Sequence, residues 1–265
     1  GNIIYEIYKE IGKDGFIFME DTDADHDFYE ITNGIEISRG LVDMVYANKP
    51  NSMESEYLAP YILQVNGRLD KNDIDWFADF LGYFYQYRNK PLIVIADAYT
   101  TEFANFLKIN KMNNDRNPSI VYEMGVTTFN TNAYPDEFED LAVYLNGTIL
   151  DKSNDEVFWN EIGPFVNRDT VRQELFLNRY LGTARSVMMS KSDSKFVEGA
   201  GNKEQIDERI SVIQKQIEYF ESISNLKEIA PDLFRLNKRI ANLQAKIAKL
   251  YISGDSEVEK KTRKF

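Results

Sequence analysis

The sequence contains no cysteine and a single histidine, His26. The lack of cysteine excludes disulfides, thiolate metal sites and a cysteine nucleophile, and it fits a reducing compartment. His26 lies among Asp21, Asp23, Asp25 and Asp27. These carboxylates resemble a cation site, but the segment lacks the glycine and the terminal glutamate of a calcium loop. A solvated acidic turn is therefore favoured, and we expect no metal site.

Long apolar runs and phosphate-binding motifs are also missing. No run approaches the ~20 residues that span a bilayer, and the N-terminus lacks the pattern of a signal peptide. Neither GxxxxGK[ST] nor GxGxxG occurs. Gly199-Ala200-Gly201 precedes a predicted helix, but the neighbouring Glu198 and the lack of a basic residue favour a turn over an anion site. No GxSxG motif accompanies the histidine, so no enzyme site stands out and the chain is expected not to be an enzyme.

The composition is that of a globular protein with a strongly acidic surface. The chain has 265 residues, of which 43% are hydrophobic and 28% charged, and its net charge is −12. Nucleic acids and anionic membranes would repel such a surface, so neither is expected as a partner.

Alternating strand and helix patterns run through the middle of the chain. Strands are predicted at Tyr61–Val65, at Lys90–Asp97 and at Ser119–Val126, and helices at Glu102–Asn110 and Asp136–Leu145. This alternation predicts a layered α/β domain. The fold class alone also leaves open a small-molecule enzyme with its site in the crevice at the strand ends.

The helix predicted at Ile74–Tyr87 is unusually aromatic. At helical spacing its apolar residues form two stripes. The first stripe contains Phe77, Leu81 and Phe84, and the second contains Trp76, Phe80, Tyr83 and Tyr87. One stripe suffices to dock a helix on a sheet. The second therefore has two interpretations, a helix buried on two sides or an exposed docking surface.

The C-terminal third predicts a hairpin and a helix pair. Ala184–Met189 and Lys195–Val197 alternate as a β-hairpin, whereas residues 152–180 show no clear pattern. Apolar residues at helical steps from Ile206 to Phe220 and from Leu233 to Leu250 predict two long antiparallel helices joined near Pro231.

Several segments in order resemble GroEL-type (group I) chaperonins. They are KDGFIFMED from Lys13, Asn33-Gly34, Arg39-Gly40, NKP from Asn48, KPLIVIAD from Lys90, EGAGN from Glu198, IDERI from Ile206 with QKQIE from Gln214, and SEVE from Ser256. The resemblance covers nearly all of the chain. It implies the layered apical-domain fold of chaperonins, with β-sheets flanked by helices and a long antiparallel helix pair, inserted in a partial α+β intermediate domain.

The resemblance also implies domain boundaries and a function. The apical domain would span residues 34–246, with intermediate-domain segments at 1–33 and 247–265. The chain would bind non-native polypeptides, and a co-chaperonin if one exists, in a groove between the helices at Ile74–Tyr87 and Glu102–Asn110. The residues implied for this groove and for the segment beside it are Leu41, Val45, Tyr46, Phe80, Tyr83, Phe103, Leu107 and Ile109.

Further roles follow from the same resemblance. Gly34 matches a hinge glycine, and Arg39 and Glu257 match charges that pair between neighbouring subunits of a ring. ATP and Mg²⁺ would bind in an equatorial domain that this sequence does not include, so no cofactor is expected here and the fragment is expected to be a monomer. The composition suits a viral or organellar homologue, located in the cytoplasm of a host cell or in an organelle matrix.

The chain departs from the family at several places. Ala245-Lys246 replaces a second hinge with paired glycines, FNTNAY at Phe129–Tyr134 replaces a basic loop, and residues 152–180 carry extra length. The alternative function is a non-catalytic scaffold module whose aromatic helices form an oligomer interface.

Overall fold

The computed structural model describes residues 2–12, 16–49, 51–52, 54–112, 122–223 and 226–254. The helices are α1 Asn2–Ile11, α2 Ile74–Tyr87, α3 Thr101–Met112, α4 Pro135–Leu145, α5 Asp155–Val166, α6 Thr170–Tyr180, α7 Lys203–Ile223 and α8 Leu226–Gln244. The strands are β1 Phe16–Thr22, β2 Phe28–Ile37, β3 Ser55–Leu58, β4 Tyr61–Asn66, β5 Arg68–Leu69, β6 Leu92–Ala96, β7 Ala98–Tyr99, β8 Met124–Thr128, β9 Leu150–Asp151, β10 Gly182–Met189, β11 Ser194–Gly199 and β12 Lys246–Ser253. Glu257, Pro50 and Lys13–Gly15 lie outside the described residues.

The chain forms two compact units. The first contains Gly1–Ile35 and Ile210–Phe265, and the second contains Glu36–Arg209. The boundaries implied by the chaperonin resemblance stay a prediction.

In the first unit, β12 is the central strand of three. It pairs in parallel with β1, from Phe16 opposite Ile247 to Thr22 opposite Ser253. It pairs antiparallel with β2. Helix α1 is amphipathic and buries Ile7 and Ile11 against apolar residues of β12.

Two predictions for the C-terminal helices are wrong. Helix α8 ends at Gln244, and Ile247 and Leu250 belong to β12. The apolar residues spaced by three and four that predicted a helix also fit a strand. Ala248, Leu250 and Ile252 alternate along β12 and line one of its faces. Pro231 lies inside α8 rather than between the helices.

The second unit is built on a mixed sheet flanked by helices, which confirms the predicted fold class at this coarse level. Its strands run in the order β11-β10-β4-β6-β8, with β3 pairing β10 and β9 pairing β4. Strands β4, β6 and β8 are parallel. Every residue of β6 is buried, as expected for an uninterrupted apolar run. The predicted hairpin of β10 and β11 is confirmed.

Residues 152–180, which have no clear sequence pattern, form α5 and α6 and cover α2. The ring of Trp76 lies 5.8 Å from that of Phe158, and the ring of Phe80 lies 5.5 Å from that of Phe165. Trp76 is 1% exposed and Phe80 is 0% exposed. Of the two interpretations of α2, the helix buried on two sides is the one that the structure shows.

The EGAGN segment closes onto the end of α4. A β-carbon on Gly201 would lie 2.2 Å from the carbonyl oxygen of Val143, and one on Gly199 would lie 2.3 Å from that of Tyr144. The Gly201 amide donates to the Tyr144 carbonyl at 2.8 Å. A side chain at either glycine would therefore clash with the backbone of α4.

We expect Gly201→Ala to destabilise the second unit by about 1–3 kcal/mol, because the new methyl group overlaps a carbonyl oxygen. The matched control is Gly82→Ala in the middle of α2, where a β-carbon would meet nothing within 4 Å. That change should instead raise the free energy of unfolding by about 0.5–1 kcal/mol, since alanine favours a helix interior. Urea unfolding measured by Trp76 fluorescence, in a Trp159→Phe background, tests both. Equal effects would contradict the close approach.

A buried ion pair fixes the start of α2. The Asp73 carboxylate is 1% exposed; it pairs with the Lys152 ammonium and accepts from Trp76 Nε1 at 3.0 Å and from the Asp70 amide at 2.8 Å. Lys152→Met would leave this carboxylate buried without its cation, so we expect a loss of about 3–5 kcal/mol in the same unfolding assay. Lys203→Met, which removes an exposed pair on α7, should leave the midpoint unchanged.

Candidate functional site

The segment from Leu41 to Tyr46 lies against the sheet edge and is buried at its two ends. The Leu41 amide donates to the Ser190 carbonyl at 2.8 Å and the Val42 amide to the Val126 carbonyl at 2.9 Å. Leu41 is 6% exposed, whereas Val42 is 42% exposed. Backbone bonds thus fix the segment so that Val42, not Leu41, faces outward.

Tyr46 anchors the end of this segment. Its carbonyl accepts from Ser55 Oγ at 3.0 Å and from the Tyr57 hydroxyl at 2.9 Å. Its side chain is 1% exposed, and burial raises the pKa of its phenol. Val45 is half-buried. The buried side chain of Tyr46 and the hydrogen bonds to its carbonyl therefore hold this end of the segment in the core.

A cleft of about 320 Å³ separates this segment from α3. Its lining is mostly apolar, with polar groups from both walls: Val42, Asp43, Tyr46, Asp97, Ala98, Tyr99, Ala104, Leu107, Lys108, Val126 and Thr128. The Lys108 ammonium pairs with the Asp43 carboxylate at 2.5 Å. This hydrogen bond is the largest cause of the lowered pKa of Asp43, which also accepts from the Val45 amide at 2.9 Å.

Helix α3 has a buried face and an exposed apolar end. Phe103 and Leu107 are both 0% exposed, and the Phe103 ring lies 5.2 Å from that of Phe77 on α2. Ile109 is 57% exposed and Met112 is 67% exposed. The last two are three residues apart, so they are neighbours on the helix surface.

At the C-terminal end of α2, a tyrosine pair lies beside α6. The rings of Tyr83 and Tyr87 are 4.5 Å apart. Tyr83 is half-buried, and its hydroxyl donates to the Thr170 carbonyl at 3.2 Å. Tyr87 is 55% exposed. Because Tyr83 is hydrogen-bonded to α6, Tyr87 is the more accessible member of the pair.

The structure separates the sequence-predicted site residues into three groups. Those with little or no exposure are Leu41, Tyr46, Phe80, Phe103 and Leu107, those half-buried are Val45 and Tyr83, and the exposed one is Ile109. Gly34 is buried within β2, where its amide donates to the Ala245 carbonyl at 3.3 Å, and Arg39 is exposed. Their roles as hinge and inter-subunit contact stay predictions.

The predicted site did not include Val42, Met112 or Tyr87, although Tyr87 belongs to the second stripe of α2. Met112 lies beyond the helix predicted at Glu102–Asn110, and α3 extends to it. Val42 lies in an apolar run without a clear period, and which of its side chains faces outward depends on the backbone bonds of that segment.

Within the described ranges, the structure contains neither a metal-binding cluster nor a membrane-spanning helix. There, no group of three or more His, Asp or Glu side chains is arranged to hold a metal ion. None of the helices in the same ranges is long and apolar enough to span a bilayer.

The structure is similar to that of a phage protein along almost the whole chain. The chaperonin gp146 from bacteriophage EL 2 (Pseudomonas aeruginosa), crystallised in the presence of ATP-BeFx, superposes with a TM-score of 0.60 at 16% identity, covering 99% of this chain and 46% of that chain. A second crystal form of gp146 gives a TM-score of 0.57 at 17% identity, covering 99% and 45%. The fold is that of a chaperonin. No protein-family model matches the sequence.

These comparisons confirm, at the level of the fold, the resemblance drawn from the sequence. The chain also spans less than half the length of the gp146 chains.

An ion pair between α2 and α6 makes their contact sensitive to pH. The Arg88 guanidinium donates to Glu174, which lowers the pKa of this carboxyl from its ordinary 4.5. A lowered folded-state pKa adds stability above the ordinary value and loses it as the pH falls through the folded value.

We therefore expect Glu174→Gln to unfold at lower urea than the parent near neutral pH. The gap should shrink as the pH falls below the ordinary pKa of glutamate, because this contribution to stability is lost as the pH passes through the lowered pKa of the folded chain. Glu102→Gln, at an exposed position of α3, serves as the control. A gap that is independent of pH would show that Glu174 acts through packing.

Proposed function

We propose that this chain is the polypeptide-binding region of an ATP-dependent chaperonin and captures non-native proteins through exposed apolar side chains. The observation that carries the proposal is the chaperonin fold, which extends over 99% of the chain. ATP hydrolysis would belong to the rest of a longer protein. The chain itself contributes the binding surface.

Exposed apolar residues on α3, on the segment facing it and at the C-terminal end of α2 support this role. Ile109, Met112, Val42 and Tyr87 are each at least 42% exposed. Covering such side chains gains about 25 cal/mol per Å² of apolar area and demands no particular sequence from the partner. This surface is suited to chains that expose apolar side chains on unfolding.

The buried members of the predicted set take a different role in the proposal. Leu41, Tyr46, Phe80, Phe103 and Leu107 hold the surface in place from below, and Val45, Tyr83 and Ile109 are accessible to a partner. The hinge at Gly34 and the inter-subunit pair of Arg39 and Glu257 remain part of the proposal. A ring of such regions would bind one client, or a co-chaperonin, at several points and would gain by multivalency.

The scaffold alternative, in which the aromatic helices form an oligomer interface, has less support at Trp76 and Phe80, because α5 and α6 cover both side chains. Tyr87 and Ile109 remain exposed.

The proposal is tested by aggregation suppression of a chemically unfolded test protein. We expect the parent chain to suppress aggregation and the Ile109→Asp/Met112→Asp variant to lose most of this activity, because two carboxylates would have to be desolvated on contact. The matched control is Tyr219→Asp/Phe234→Asp, which places two carboxylates at residues of the first unit that are 62% and 72% exposed. All three proteins should unfold at similar urea concentrations.

Equal loss in both variants would show that suppression follows general surface charge. A parent without suppression, tested both alone and tethered as an oligomer to restore multivalency, would contradict the proposed function.

A further inference from the structure

Helix α6 carries two exposed apolar side chains next to the C-terminal end of α2. Val171 is 71% exposed and Leu175 is 62% exposed. They are four residues apart and are therefore neighbours on the outer face of α6. The Tyr83 hydroxyl donates to the Thr170 carbonyl and lies 3.3 Å from the Glu174 carboxylate. Because these two residues adjoin Val171 and Leu175 in sequence, the tyrosine pair of α2 borders the same face.

Packing within the second unit does not account for this apolar face. Phe176 holds the opposite face of α6 in the core, where it is 4% exposed. Its ring lies 6.0 Å from that of Phe80 and 4.9 Å from that of Phe165. The attachment of α6 therefore does not use Val171 or Leu175. Neighbouring apolar side chains left on a surface indicate an interaction site.

The carboxylates beside this face already have partners. Glu174 accepts from Arg88 Nη2 at 2.5 Å, and Glu161 of α5 accepts from Arg179 Nη1 at 3.3 Å. Asp169 caps the start of α6 by accepting from a backbone amide at 3.2 Å. These three acids are thus engaged within the unit.

Two cations at the start of α6 can contact a partner without giving up an ion pair. Arg168 and Arg172 are both exposed, and within the described ranges neither guanidinium is paired with a carboxylate. Arg172 precedes Leu175 by three residues, so it flanks the apolar row. The surface is locally positive, although the net charge of the chain is −12. We call it the α6 surface, and it consists of Arg168, Val171, Arg172 and Leu175.

The composition of the α6 surface indicates what kind of partner it fits. Arginine and tyrosine are enriched at the centres of protein interfaces. An apolar row with a spacing of four residues suits the apolar face of another helix. Positive charge beside this row favours a partner that carries carboxylates. A two-fold contact between copies would instead place this positive surface against itself, so like charges oppose a dimer at this face.

We propose that the α6 surface binds an acidic amphipathic helix of a partner protein. Apolar side chains of that helix would cover Val171 and Leu175, while its carboxylates would pair with Arg168 and Arg172. The inference goes beyond the proposed function, because it does not use the exposed end of α3. Capture of non-native chains at that end requires no charge, whereas the α6 surface selects acidic segments.

The first test compares two fluorescein-labelled, stapled helical peptides, each with two leucines four residues apart. One peptide carries glutamates beside the leucines and the other carries lysines. Fluorescence anisotropy should show about tenfold tighter binding of the Glu peptide to the parent chain. The net charge of −12 acts in the opposite direction, so non-specific attraction would favour the Lys peptide. Added salt should weaken binding of the Glu peptide.

Charge reversal locates this preference. Arg168→Glu/Arg172→Glu should reverse it, so that the Lys peptide binds more tightly. The matched control is Arg68→Glu/Lys71→Glu, which makes the same change in net charge at two exposed positions before α2. This control should keep the preference for the Glu peptide.

The apolar row is tested separately and without a change in charge. Val171→Ser/Leu175→Ser should weaken binding of the Glu peptide about tenfold, because less apolar area is covered. Leu58→Ser/Val157→Ser, at positions that are 65% and 50% exposed, should bind like the parent. All of these variants should unfold at urea concentrations similar to that of the parent, since the changed side chains are exposed.

The outcomes also separate the inference from the proposed function. Equal binding of the two peptides by the parent, or tighter binding of the Lys peptide, would overturn the inference. So would a parent that sediments as a dimer and that Arg168→Glu/Arg172→Glu dissociates, because a second copy would then occupy the surface. Loss of Glu-peptide binding in Ile109→Asp/Met112→Asp, with binding kept in Arg168→Glu/Arg172→Glu, would assign the interaction to α3 instead. Aggregation suppression by Arg168→Glu/Arg172→Glu should equal that of the parent, so either proposal can fail alone.

Discussion

The fold of the second unit depends on burying both faces of one aromatic helix. Phe77 packs edge-to-face on Phe103 of α3 at 5.2 Å, while Phe80 packs in the same way on Phe165 of α5 at 5.5 Å. Ring pairs of this kind add about 0.5–1.5 kcal/mol each beyond the area they bury. Helix α2 therefore determines where α3, α5 and α6 lie, and the polar ties at Asp73 and Glu174 fix its two ends.

This constraint decides which surfaces are left for binding. A helix that uses its rings for packing on both sides cannot present them to a partner without breaking the core. Apolar side chains that remain accessible include those at the end of α3, Val42 and Tyr87, and also Leu58, Trp159, Val166, Val171 and Leu175. The binding surface we propose at α3 is thus less aromatic than the composition of α2 suggests.

The sequence predicts correctly those elements whose apolar spacing fits only one type of secondary structure. Helix α2 was predicted with its observed bounds, and β6 was recognisable because an apolar run between a Lys-Pro pair and Asp97 is typical of a buried parallel strand. The apolar steps from Leu243 to Leu250 satisfy both a helix and a strand, and pairing with β1 and β2 selects the strand. The exposure of the site residues could not be predicted from the sequence, because it depends on which other element covers each helix face. Phe80 and Ile109 are both apolar residues on predicted helices. Only Phe80 is covered by a segment distant in sequence, α5.

A fold shared at 16% identity therefore says more about the backbone framework than about the side chains on the surface. The sheet order and the position of α3 follow from backbone pairing and core packing, which many sequences satisfy. The selectivity of a binding surface instead depends on which side chains a covering element leaves free. Here α5 and α6 cover the face of α2 that carries Trp76 and Phe80. Ile109 and Met112 on α3 instead remain exposed. Side chains at such positions can change while the aromatic core stays intact, so the surface we propose for binding can vary while the fold is kept.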